Sequence, residues 1–176
     1  YQGPEEPVVP IEEQVIPIEY YEHPDFISYM KNAENADRTG YDPVKKLRFP
    51  HTSPEGGNKT IAYGYKLKDS DDFSKGITEE QANELLNKQL RKFDQKMQKE
   101  LGAANYKKLK KNDKDIGAGL DITYNTGSSL LFPNFFKALL RGDRGSALSE
   151  SKRYYKKNGI PTELTRRNKL FKNQFF

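Results

Sequence analysis

The chain has 176 residues, of which 34% are hydrophobic, 31% charged and 12% aromatic; that is lean, yet the 11 Tyr and 10 Phe require one packed core. Cysteine is absent and there are two histidines, His23 and His51, which argues against a disulfide framework, thiolate zinc, a cysteine nucleophile and a multi-histidine metal centre. The apolar runs span only a few residues, far short of the roughly 20 needed to cross a bilayer, and no basic-then-apolar leader opens the chain.

The net charge of +5 is unevenly placed. Residues 1–25 carry seven acids and no Lys or Arg, a sum of −7, so the remaining 151 residues hold 30 basic and 18 acidic side chains and sum to +12. A body this basic predicts a polyanionic partner, whether nucleic acid, anionic membrane or anionic wall polymer. Residues 1–25 also hold Pro4, Pro7, Pro10, Pro17 and Pro24. Proline fixes φ and removes a backbone donor, so this segment reads as an extended acidic arm or linker joined to a larger protein. Its Val8, Val9, Ile11, Val15, Ile16 and Ile18 offer the alternative that the arm docks on something. The first residue is Tyr1 rather than Met, as expected of a processed or excised product.

From Asp25 the pattern becomes helical, with Phe26, Met30 and Glu34 on one face. Thr39 to Pro43 breaks it. Residues 44–67 read as short strands and turns punctuated by Pro50, Pro54 and Gly56-Gly57, with Thr60 to Tyr65 alternating as one strand. Thr78-Glu79-Glu80-Gln81 is a capping box, and Leu86, Leu90, Phe93, Met97 and Leu101 mark a long apolar stripe ended by Gly102. A basic segment from Lys107 to Lys114 follows. Further helices are expected around Ile116 to Tyr124, from Pro133 to Leu140, from Ser146 to Lys157 and from Thr162 to Phe175. The layout predicts an α+β domain over residues 26–176: a small β region feeding a helical body.

Two features could carry chemistry. Glu34 closes an amphipathic helix on its apolar stripe, where desolvation favours the protonated carboxyl and suits a general acid; the plain alternative is an exposed helix-terminal glutamate. The turn from His51 to Tyr65 carries Gly56-Gly57, Thr60 and Gly64, and glycines there allow a tight hairpin or close approach of a ligand. It is not a phosphate-binding loop, because its lysine precedes no helix and its glycine spacing differs.

Taken together, a glutamate ending the first helix and a later Thr60-Ile61-Ala62-Tyr63-Gly64 resemble the phage-type lysozymes of glycoside hydrolase family 24. Arg38 and Tyr41, the capped start at Ile77-Thr78, the stretch Asp121 to Gly127, Leu139 to Asp143 with Ala147, and Gly159-Ile160-Pro161 with Leu164 and Arg166-Arg167 resemble the family's remaining motifs, in order, over residues 26–176. The resemblance implies a lysozyme-like fold, a small β-hairpin lobe and a mostly helical lobe joined by a long helix. It implies cleavage of the β-1,4 bond between N-acetylmuramic acid and N-acetylglucosamine in peptidoglycan, with no metal and no cofactor.

On that resemblance Glu34 is the acid and Thr60 the residue that holds water. Counting back from Thr60 at the family's spacing reaches Pro54, or Ser53 with one inserted residue, so His51, Ser53, Glu55 and Asp42 stay open as the second catalytic position. Tyr63, Gly64, Glu55 and Asn125 are the expected substrate contacts. Without a base, attack by the sugar's own 6-hydroxyl would make the enzyme a lytic transglycosylase. A catalytically degenerate virion protein of the same fold is a further alternative. The basic runs Lys107-Lys108, Lys110-Lys111 and Arg166-Arg167 read as a solvated face. A nucleic-acid-binding module remains a rival on the strength of Arg153 to Lys157, though no reader motif accompanies it; the expected partners are peptidoglycan and, through the arm, other virion proteins, with no nucleic acid and no membrane insertion. The expected setting is the phage virion, acting in the host periplasm or wall at genome entry, with a late-lysis endolysin as the alternative.

Overall fold

The computed structural model describes residues 17–53 and 57–176. Its elements, in chain order, are α1 (Pro24–Asn35), β1 (Tyr41–Asp42), β2 (Leu47–Arg48), β3 (His51–Thr52), β4 (Lys59–Ile61), β5 (Tyr65–Lys66), α2 (Glu79–Leu101), α3 (Ala103–Lys110), α4 (Asp113–Thr126), α5 (Pro133–Leu140), α6 (Arg144–Glu150), β6 (Tyr154–Lys157), β7 (Ile160–Glu163) and α7 (Thr165–Phe175). This is the expected α+β layout. A small lobe of short antiparallel strands, with order β3-β4-β5 in its largest sheet, precedes a helical lobe, and α2 runs between them.

The small lobe closes on α2 through a bridge. Arg48 N donates to Ile77 O at 2.8 Å and Ile77 N donates to Arg48 O at 2.9 Å. The next residue begins the capping box. Gln81 N donates to Thr78 Oγ1 at 3.1 Å, and Thr78 N donates to Gln81 Oε1 at 2.9 Å, satisfying two helix-end groups reciprocally. Ala82, Leu86, Leu90 and Met97 then line the buried face of α2. The centre of the helical lobe is α4, buried continuously from Ile116 to Tyr124. Gly117 and Gly119 let rings pack directly on its backbone: a Cβ at either would lie 2.9 Å from Phe175 or Phe136.

Four expectations are corrected. The helix expected from Ser146 to Lys157 stops at Glu150, and the one expected from Thr162 starts at Thr165. Between them β6 and β7 form a hairpin whose register ends at Lys157↔Ile160. Asn158 and Gly159 both have positive φ, the requirement of a two-residue hairpin turn, and Pro161 cannot donate within a helix. The strand expected from Thr60 to Tyr65 is interrupted at Ala62 (φ +56°) and Gly64 (φ +83°), so β4 and β5 are two arms of a tight turn.

The fourth concerns the arm. Residues 1–16, including Val8, Val9, Ile11, Val15 and Ile16, lie outside the described residues, and Ile18 is exposed. Tyr20–Glu22, by contrast, forms a 3-10 turn with Tyr20 and Tyr21 in the core. Tyr20 donates its hydroxyl to Asp94 Oδ1 of α2 at 2.5 Å, Tyr106 of α3 donates to the same oxygen at 2.8 Å, and Glu19 pairs with Lys110 at 2.9 Å. The packed body therefore reaches back to Tyr20. Two aromatic rings gain more from burial than an extended linker could offer them.

Candidate active site

A cleft of about 460 Å³ opens between the lobes. Glu34 and Asn35 come to it from the end of α1, His51 from β3, Thr60 from β4, Gly64 from the β4–β5 turn, Tyr124 and Asn125 from α4 and Arg167 from α7. Ser53, Asn58 and Lys66 line its β side, and Glu163 to Arg166 its helical side.

Glu34 sits on the cleft wall with its side chain 10% exposed. Arg167 Nη1 lies 2.7 Å from Glu34 Oε1, a close ion pair. Burial pushes the Glu34 carboxyl above the ordinary carboxylate range, against the opposing pull of Arg167. Arg167 is shared. Its Nη2 donates to Asp121 Oδ1 at 2.6 Å, while Arg153 Nη2 donates to Asp121 Oδ2 at 2.8 Å and the Tyr29 hydroxyl to the same oxygen at 3.1 Å. Asp121 is fully buried. Burial alone would raise its pKa, but Arg167 and Arg153 overcome that and hold it below the usual range. Asp121 thus stays charged and anchors Arg167, and Arg167 brings a cation to Glu34. Arg153 also donates to Asn125 Oδ1 at 3.2 Å, which fixes the orientation of that amide in the cleft.

The other face of Glu34 meets backbone. A Cβ at Gly64 would lie 2.6 Å from Glu34 Oε2 and 3.2 Å from its Cδ. Only a glycine allows this approach, and its φ of +83° suits glycine as well. Asn35 Nδ2 donates to Ala62 O at 2.9 Å and the Tyr124 hydroxyl donates to Tyr63 O at 2.6 Å, so the turn is held from α1 and from α4.

On the β side His51 and Thr60 are directly opposed in the ladder. Thr60 Oγ1 is 3.2 Å from His51 Nε2, and His51 Nδ1 is 3.4 Å from Phe49 O. With the proton on Nδ1, the threonine hydroxyl donates to the imidazole and presents its oxygen as an acceptor. Among the described residues no carboxylate hydrogen-bonds to either side chain.

The structure therefore gathers Glu34, Thr60, His51, Ser53, Gly64 and Asn125 around one cleft. Glu55 lies outside the described residues. Asp42 does not line the cleft; its Oδ1 accepts from the backbone of Val44 and Lys45. Tyr63 does not line it either. After the positive φ at Ala62 its ring is buried away from the cleft, where the hydroxyl donates to Glu79 Oε1 and accepts from Arg48 Nη2 at 2.9 Å. Arg166 reaches Asn32 at 2.9 Å on the exposed surface, while its neighbour Arg167 is buried. Sequence reasoning missed the Asp121–Arg153–Arg167 cluster and the hold of Asn35 and Tyr124 on the turn. A buried acid among apolar α4 residues was the available signal.

With this arrangement established, comparison with known families is decisive. The phage lysozyme family model matches residues 46–170. The chain belongs to the phage lysozyme family. That family degrades peptidoglycan as glycosidases, and the α+β architecture with a long connecting helix is its lysozyme-like fold. The matched stretch of this phage-type lysozyme carries Thr60, Asp121, Arg153 and Arg167, while α1 and Glu34 precede it. No curated protein and no solved structure matches the chain.

Proposed function

We propose that this phage-type lysozyme cleaves the β-1,4 bond between N-acetylmuramic acid and N-acetylglucosamine, with Glu34 as general acid. The observation that carries the reading is the Glu34 carboxyl on the wall of the inter-lobe cleft, raised in pKa by burial against the pull of Arg167 2.7 Å away. A protonated carboxyl there gives its proton to the glycosidic oxygen, and the oxocarbenium-like centre that develops is attacked by water. Thr60 Oγ1, set by His51 Nε2, holds that water, with Ser53 beside them. Asn125, fixed by Arg153, offers its amide nitrogen to a sugar hydroxyl or N-acetyl group. The +12 sum beyond residue 25 favours encounter with a wall that carries carboxylates and phosphates.

One observation favours a second outcome on the same bond. Thr60 is paired with an imidazole rather than a carboxylate. If that pair cannot activate water, Glu34 takes back a proton from the sugar's 6-hydroxyl and the product is a 1,6-anhydro muramoyl end. Mass spectrometry of fragments released from purified peptidoglycan separates the outcomes. Reducing muramoyl ends support the hydrolase, 1,6-anhydro ends the transglycosylase, and absence of glycan cleavage removes both.

We place the enzyme in the phage particle, opening the host wall locally at genome entry. The acidic composition of residues 1–16, opposite in sign to the body, supports attachment to another virion protein. Proteomics of purified particles tests this, and absence of the chain from intact virions would leave the late-lysis role.

A further inference from the structure

We infer that Asn35 and Tyr124 are positioning residues: by gripping the Ala62–Gly64 turn from two helices they press backbone against one face of the Glu34 carboxyl and keep water from it. The inference rests on Glu34 being the acid. It starts from a local conflict. Ala62 holds φ +56°, a conformation that costs an L-residue about 1–2 kcal/mol, and it follows directly on strand β4. Something must hold the turn in that shape.

Two contacts do so. Asn35 Nδ2 donates to Ala62 O at 2.9 Å and to Thr39 O at 3.0 Å, and Asn35 Oδ1 accepts from Thr39 N at 2.8 Å. Every hydrogen-bonding group of this side chain is used locally, so it is fixed in place. Tyr124 donates to Tyr63 O at 2.6 Å from a buried hydroxyl, and its ring approaches the Cβ direction of Gly64 at 3.7 Å. The consecutive carbonyls of Ala62 and Tyr63 are thereby tied to α1 and α4, the two helices that also supply Glu34 and Asp121. The next residue, Gly64, then lies against Glu34 Oε2.

The charged and titratable groups around Glu34 come from every neighbouring element. Arg167 and Arg166 contribute from α7, Asp121 and Tyr124 from α4, Asp37 from the segment after α1, Arg153 from the strand-leading segment before β6, Glu163 from β7, and His51 and Lys66 from the β side of the cleft. Neither Asn35 nor the Tyr124–Tyr63 hydrogen bond changes the charge of this set. Loosening the turn alters only how closely backbone covers the carboxyl. Because desolvation is the largest influence on Glu34, admitting water stabilises its charged form and moves its pKa down.

The test is the pH dependence of glycan cleavage by wild type, Tyr124→Phe, Asn35→Ala and Glu34→Gln, each with a thermal melt. Tyr124→Phe keeps the ring and removes only the donor, so it folds where larger changes fail. The expected result for Tyr124→Phe and Asn35→Ala is an alkaline limb moved to lower pH by about half a unit, roughly a threefold loss on that side. A lowered melting temperature with an unmoved limb in both variants overturns the inference and leaves them merely structural. If Glu34→Gln itself stays active, the underlying assignment of the acid has failed instead.

Discussion

Gly64→Ala isolates the contact between the β4–β5 turn and Glu34, the proposed acid. The added Cβ would lie 2.6 Å from Glu34 Oε2, and ordinary contact begins at 3.4 Å, so the carboxyl must retreat by about 0.8 Å. Misplacement of a reacting group by about an ångström costs on the order of 10²-fold in rate. The backbone also contributes, since alanine at φ +83° is strained by about 1–2 kcal/mol, equivalent to a melting shift of about 2–8 °C at this chain length. Gly142 supplies the control. It has φ +78° with nothing within 4 Å of its Cβ position, so Gly142→Ala carries the same backbone cost far from the acid. The assay is release of soluble fragments from purified peptidoglycan, alongside thermal melting. Both variants should melt a few degrees lower, and only Gly64→Ala should lose about 10²-fold in kcat. Equal activity of the two variants would refute the reasoning, because the close approach to Glu34 would then have no consequence for the chemistry.

Asp121→Asn leaves Arg153 and Arg167 buried without their shared counter-charge, and should cost about 3–5 kcal/mol, read in a denaturant titration; a loss under about 1 kcal/mol contradicts the anchoring role. The same residue sets acid stability. Its native pKa is held below the ordinary 3.8, so its contribution is present above that value and is lost as pH falls through the lower native one. Activity has the opposite sign. On the proposed role Glu34 must be protonated, and burial raises its pKa from the ordinary 4.5, so cleavage should decline as pH rises through that raised value, and an alkaline limb at or below 4.5 would contradict it. Tyr20→Ala removes a buried ring and the donor to Asp94, and should destabilise by about 3–5 kcal/mol, while Tyr20→Phe should retain much of that; an unchanged melt for Tyr20→Ala would restore the reading of this segment as a passive arm.

Local patterns in the chain were legible and long-range pairings were not. Phe26, Met30 and Glu34 recur at helical spacing, so the placement of a carboxyl at the end of α1 followed from periodicity. The capping box at Thr78 and the glycine turn before Thr60 were local signals of the same kind. The partners of Asp121 lie 32 and 46 residues away, and no periodicity links an acid on α4 to arginines on either side of a hairpin. Arg166 and Arg167 look identical in the chain, yet one helical step of about 100° puts Arg166 on the surface and Arg167 in the core. Tyr63 was expected at the cleft from the resemblance of the Thr60 to Gly64 stretch, and the positive φ at Ala62 interrupts the strand just before it. The turn there reverses its direction. Asn158-Gly159 and Tyr20-Tyr21 were readable clues, masked by the lysine-rich and proline-rich stretches around them.

The central claim, that Glu34 is the acid of a glycosidase, is tested most directly by Glu34→Gln. Glutamine keeps the shape of the side chain and cannot protonate a leaving oxygen. The account predicts that clearing of a peptidoglycan suspension falls by at least about 10²–10⁴-fold while the circular dichroism spectrum of the folded protein is retained. Near-normal clearing by a folded Glu34→Gln protein would contradict it.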